Sequence, residues 1–282
     1  MKHAYLIMAH NEWELLKTLV GCIDDERNDI YVHIDAKVAE LPQLAAEHAG
    51  LTVIDERVDV RWGDISVVEA EYALFRAAYK PGKYSYYHLL SGCDLPLKSQ
   101  DYIHSFCEQN AGREFIGYTL TDINPEIVRK AMRWHFFPKE FREAKKWKRY
   151  LRAAALRGQE LVGYRRNIDI DFKKGSQWVS ITEKMARYFL EHEEWVGDVF
   201  HHTFCSDEMV MQTIAWHYAW ERIYDKDDDA RGCMRAIGWR NGQLVDWCAA
   251  DYEELAASPA LFARKFNSSD WDFIRKIASL SR

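Results

Sequence analysis

Short apolar runs alternate with helically spaced apolar positions over the first part of the chain. The run Ala4, Tyr5, Leu6, Ile7, Met8 is short and ends at polar His10 and Asn11, the pattern of a strand covered on both faces. Asn11 with Glu14 forms a capping-box signal and predicts a helix to about Cys22. Residues 30–34 (IYVHI) predict the next strand, 41–48 a helix and 51–54 a strand. Ser66 with Glu69 predicts a helix start, followed by Val67, Ala70, Leu74, Ala77 and Ala78 at helical spacing. Further strands are predicted at 84–90, 114–118 and 177–181, with helices at 101–109, 183–192 and 207–218. Strands separated by helices predict an α/β fold, a mostly parallel, Rossmann-like sheet flanked by helices.

Parallel sheets bind ligands beyond the carboxyl ends of their strands. Just past the three clearest strands stand His10-Asn11, Asp35 and Ser91-Gly92-Cys93-Asp94. Any one of these suits a cap or a turn, but three at corresponding positions point to a nucleotide site. It is not a dinucleotide fold or a P-loop of the usual kinds, because GxGxxG after the first strand and GxxxxGK[ST] are both missing.

Composition narrows the classes. The 282 residues carry a net charge of −6, which argues against a globally basic nucleic-acid binder. A chain that is 48% hydrophobic, with 6 Pro and 14 Gly, is neither disordered nor collagenous. A single domain of this length needs no disulfide or metal staple. The six cysteines lack CxxC and zinc spacing and read as reduced core thiols. No signal-peptide core and no run of ~18 apolar residues is present, so the expectation is a cytoplasmic chain without a membrane anchor. Charge is uneven, however. Residues 129–166 hold 13 Lys or Arg against 3 Glu, interleaved with Trp134, Phe136, Phe137, Phe141, Trp147 and Tyr150. A basic aromatic helical subdomain is therefore expected at about 125–170, within one domain spanning 1–282. Its aromatics either face the core or dock on an anionic membrane.

Several segments together resemble the core-2/I-branching β-1,6-N-acetylglucosaminyltransferase family, which includes peptide O-xylosyltransferases. They are AYLIMAHN (4–11), VHIDAK (32–37), RWGDISVVEA (61–70), HLLSGCDLPLK (88–98), GSQWVSIT (175–182), SDE (206–208), MRAIGW (234–239) and LFARKF (261–266). They occur in the family's order along nearly the whole chain, with 120–171 the poorest match. The chain departs from the family pattern at Ser206, where Pro is common, and at Asp64, where a small residue is common.

The resemblance implies a GT-A fold, a nucleotide-sugar donor, inversion at the anomeric carbon and a glycan or peptide hydroxyl as acceptor. The expectation of a bacterial enzyme rests on the missing membrane anchor, and that of a lipid-linked glycan acceptor on the basic aromatic segment. UDP-GlcNAc is the expected donor and UDP-xylose the alternative. The resemblance also implies transfer with no metal or other cofactor. The DxD pair usual after the fourth strand is replaced by Ser91-Gly92-Cys93-Asp94, and Asp169-Ile170-Asp171 and Asp227-Asp228-Asp229 read as loop acids. Arg235 and Lys265 are then the cations for the leaving diphosphate, with Arg264 beside Lys265 an alternative cation. Glu208 is the expected general base and Asp207 its alternative; Ser206 would cap a helix carrying both in its first turn. Asp35 is expected at the uridine, with His10, Ser66 and Asp94 as further donor-site residues. Trp62 and Trp178 are candidates to line the sugar sites. His201, His202 and Cys205 read as helix-flanking residues. The rival class is a non-catalytic module holding an anionic polymer or membrane; nucleic acid is not an expected partner. The basic segment makes peripheral association with the inner membrane face part of the same expectation.

Overall fold

The computed structural model describes residues 2–119 and 124–281. The chain runs β1 (Lys2–Ala9), α1 (Trp13–Cys22), β2 (Asn28–Ile34), β3 (Gly50–Val53), α2 (Ser66–Ala78), β4 (Tyr84–Ser91), β5 (Leu95–Pro96), α3 (Gln100–Gln109), α4 (Asn124–Lys130) and α5 (Lys146–Leu161). It continues through β6 (Ser180–Thr182), α6 (Glu183–Glu191), α7 (Glu193–Phe200), α8 (Val210–Tyr218), α9 (Asp229–Cys233), β7 (Arg235–Ile237), β8 (Trp239–Arg240), β9 (Gln243–Leu244), α10 (Tyr252–Ala257), β10 (Phe262–Arg264) and α11 (Trp271–Ala278). The central sheet has the order β3-β2-β1-β4-β6. Its first four strands are parallel and β6 is antiparallel to β4.

The period of two along β1 explains why the sheet is covered on both faces. Ala4 and Leu6 point into a core with α2, α6 and α8, while Tyr5, Ile7 and Ala9 point into a second core with α1, α3 and α11. A smaller sheet, β5-β10-β7, packs into that second core. Phe266 N–H donates to Cys93 O at 3.0 Å, which holds the residues after β10 against the turn after β4.

The differences from the sequence reading have physical causes. Residues 41–48 form no helix, because backbone N–H groups of Glu47, His48 and Ala49 all donate to the Asp24 carboxylate. The α1 cap is Glu12 in the left-handed region rather than Asn11. Ser66 is the first residue of α2, and its hydroxyl accepts from Arg61 N–H instead of capping the helix. Residues 114–118 make isolated bridges, Glu114 to Ile223 and Phe115 to Ser180, rather than a strand. The predicted strand at 177–181 is confined to Ser180–Thr182. Residues 206–208 are a separate 3-10 turn ahead of α8, so Ser206 caps nothing; its hydroxyl is buried without a hydrogen-bond partner among the described residues. The start of the poorly matching stretch, 120–123, lies outside the described residues. Among the described residues, no helix is long and apolar enough to cross a membrane.

Candidate active site

A cavity of about 520 Å³ opens where β1, β2 and β4 end. His10 after β1, Asp35 after β2 and Ser91 at the end of β4 all line it. Trp62, Trp178, Asp207 and Lys265 complete the group of expected residues that the fold gathers there. These residues span the chain from its first strand to its last, so the cavity is a product of tertiary structure.

Asp35 is nearly buried, and its carboxylate accepts from Lys37 N–H at 2.9 Å and from Lys37 Nζ at 2.7 Å. Lys37 also reaches Asp59 at 2.9 Å. Burial pulls His10 below its ordinary pKa, opposed by the nearby Asp35 charge. Trp178 is buried beneath the Arg264 guanidinium, which lies 4.4 Å from its ring centroid. Trp62 is half-exposed, packs on Phe141 and Phe204, and carries Arg142 4.3 Å over its ring.

Arg235, expected at the diphosphate, lies elsewhere. It is completely buried, donates to Cys233 O at 2.7 Å, Val179 O at 2.9 Å and Ser180 Oγ at 3.0 Å, and sits over the Phe262 ring. Burial lowers its pKa to about 10. It is absent from the cavity wall; Arg264 stands there instead, directly beside Lys265. Asp94 is also withdrawn: fully buried, it accepts from Ser91 N–H at 3.0 Å and from Arg264 Nε at 3.3 Å. It shapes the turn and orients Arg264. Ser66 is buried behind the cavity and tied to Arg61 and Asp64.

The two acids of the 206–208 turn diverge. Asp207 lines the cavity; burial and the neighbouring Glu208 charge push its pKa up to about 7. Glu208, the expected base, is not among the residues that line the cavity; it keeps 37% of its side chain exposed and pairs with Lys130 at 3.1 Å and Lys174 at 3.5 Å. The loop acids elsewhere do not line the cavity. Asp228 caps α9 through Arg231 N–H, Asp229 accepts from Ser176 N–H, and Asp169 and Asp171 are exposed. His202 stacks on Trp134 at 3.8 Å, while His201 is exposed at the end of α7.

Sequence reasoning missed Gln177 and Glu71. Gln177 lines the cavity and donates to the Glu71 carboxyl at 2.7 Å; full burial raises the Glu71 pKa well above its ordinary value. The available signal was its position: Glu71 falls on the apolar face set by Val67, Ala70 and Leu74. Lys139, Arg142 and Glu143 also line the cavity, so the basic segment contributes one wall. Its aromatics divide, with Phe141 stacked on Phe204 while Trp147 and Tyr150 are largely exposed. The cysteines divide too: Cys93, Cys107, Cys205 and Cys233 are buried as expected, but Cys248 is exposed.

A mostly parallel sheet with its ligand cavity at the strand ends, walled by an Arg-Lys pair and a carboxylate turn, defines a GT-A-like α/β protein. The model of the Core-2/I-Branching enzyme family matches residues 3–270, and the chain belongs to that family of glycosyltransferases. No curated protein matches the chain.

Proposed function

We propose that this glycosyltransferase moves GlcNAc from UDP-GlcNAc to a glycan hydroxyl, with inversion and without a metal ion. The observation that carries the reading is Arg264 and Lys265 on the wall of the same cavity as Asp207. The acceptor oxygen attacks C1, the C1–O bond to the diphosphate breaks, and UDP leaves. Arg264 and Lys265 take up the charge developing on the phosphate oxygens as charge-assisted donors. Asp35 and His10 flank the nucleoside, and Trp62 and Trp178 the sugars. The single carboxylate of the turn after β4, Asp94, is already committed to Ser91 and Arg264, which leaves no open acid there for a diphosphate-bridging metal. A carboxylate beside two cations in one cavity also favours an enzyme over a binding module.

Glu208 acts as general base in this reading, which rests on the family resemblance at Ser206-Asp207-Glu208; its carboxylate is partly exposed beside Lys130 and Lys174. Asp207 is the second reading, supported by its place on the cavity wall and a pKa near 7, close to ideal for proton transfer. The exposed basic aromatic face of α5 further supports a lipid-linked acceptor at an anionic membrane surface.

A donor-hydrolysis screen across UDP-sugars, with and without brief EDTA treatment, tests the reaction. UDP-GlcNAc should be consumed fastest and UDP-xylose next, unchanged by EDTA or added Mn²⁺. Loss in EDTA with recovery on Mn²⁺ sinks metal independence, and no turnover of any UDP-sugar sinks the donor class. Glu208→Gln should lower kcat by ~10²–10⁴-fold with UDP affinity within a few-fold of wild type. Normal turnover in Glu208→Gln with a dead Asp207→Asn moves the role to Asp207.

A further inference from the structure

The opposite end of the sheet holds a second cavity of about 560 Å³, lined by His3, Tyr84, Tyr86, His104 and Cys107 among others. His3 stands near the start of β1 and His10 just past its end, roughly 23 Å apart at ~3.3 Å per residue. The proposed transfer chemistry therefore does not use this region.

Three side chains from three elements converge beside this cavity: His3 of β1, His88 of β4 and Cys107 of α3. All are buried, and one potential ligand atom from each lies within 4.8 Å of the others. His3 Nδ1 and His88 Nε2 are 3.0 Å apart. Two nitrogens on a tetrahedral zinc with Zn–N of ~2.0–2.1 Å sit roughly 3.3 Å apart, and nitrogen and thiolate sulfur about 3.5 Å. The two nitrogens are thus already near coordination spacing, and the sulfur lies within 4.8 Å of both.

The surroundings suit the same role. His88 Nδ1 lies 2.7 Å from Ser180 Oγ, which also accepts from Arg235 Nη2 at 3.0 Å. With Nδ1–H of His88 donating to that hydroxyl, its Nε2 lone pair points to His3, the outer-shell arrangement that fixes metal-bound histidines. His104 stacks on His3 at 3.9 Å, and the cavity leaves room for a fourth ligand or water.

We propose that His3, His88 and Cys107 form a zinc-class metal site that ties β1, β4 and α3 together beside this second cavity. Binding breaks the Cys107 S–H bond and releases its proton to solvent, forming the metal–thiolate bond. The His3 ring proton moves from Nδ1 to the other ring nitrogen, and no electron is exchanged.

The test is metal content of the full chain after incubation with zinc and gel filtration, with Co²⁺ substitution as a spectroscopic readout. Wild type should retain about one equivalent and, with Co²⁺, show a thiolate-to-metal charge-transfer band. Cys107→Ser and His3→Asn, each checked for a native circular dichroism spectrum, should lose both. Cys248→Ser, at the exposed thiol, should keep both. Wild type that retains no metal overturns the site, as does retention unchanged in folded Cys107→Ser and His3→Asn. If both variants fail to fold, absence of the charge-transfer band in Co²⁺-treated wild type overturns it and its presence supports it.

Discussion

At the residue scale, Arg235 and Arg264 stand in opposite settings. Arg235 is enclosed by carbonyls and a hydroxyl, whereas Arg264 shares a cavity wall with Lys265. Arg264→Ala and Lys265→Ala should each weaken UDP binding while leaving uridine binding nearly unchanged, because uridine has no phosphate. Charge-assisted contacts of this kind contribute roughly 1.5–3 kcal/mol each. Calorimetry with both ligands checks it, and equal losses on the two would disprove a phosphate role. Arg235→Ala should instead lower thermal stability, since it leaves buried acceptors unpaired at about 1–3 kcal/mol per group.

At the element scale, the loop before α2 and the 206–208 turn meet at Gly63. Its φ of +80° favours glycine, and an added Cβ would come within 2.4 Å of the Phe204 ring, the same ring that supports Trp62 and Phe141. Gly63 O also accepts from Cys205 N–H at 3.0 Å. Gly63→Ala should therefore destabilise the fold by about 1–3 kcal/mol and reduce transfer as well, seen by denaturant unfolding and turnover. The basic segment is anchored by His135, whose ring bonds Arg129 O at 2.8 Å. Burial depresses its pKa to about 4 from 6.5. Between those values the unfolded chain binds the extra proton, so stability must fall as pH drops from about 6.5 towards 4. Thermal melts across that range should show the decline in wild type and a shallower one in His135→Asn.

At the scale of the whole molecule, a chain of net charge −6 concentrates 13 Lys or Arg against 3 Glu in residues 129–166. α5 exposes Trp147 and Tyr150 alongside Lys146 and Arg149. Interfacial aromatics and basic residues near an anionic leaflet act together, at ~1 kcal/mol per basic residue. Co-sedimentation should show binding to anionic but not zwitterionic vesicles at low salt. Changing Lys145, Lys146, Lys148 and Arg149 to Ser should abolish it. Wild type left in the supernatant with anionic vesicles would make the segment a lid on the acceptor side, consistent with Arg142 and Lys139 on the cavity wall.

Local patterns determined the alternation of strands and helices, because a buried parallel strand and an amphipathic helix each carry their period in a few neighbouring residues. The strand-end residues His10, Asp35 and Ser91 were legible for the same reason. Burial was not legible, since it depends on what packs from far along the chain. Only tertiary structure drew Arg235 into the core, enclosed Asp94 behind Arg264, brought Asp207 to the cavity wall and paired Glu71 with Gln177. The helix expected at 41–48 failed on the same ground: Asp24, distant in sequence, captures the backbone N–H groups at its end. A residue's type sets what chemistry it can do, but the groups that surround it in the fold decide whether it faces a ligand.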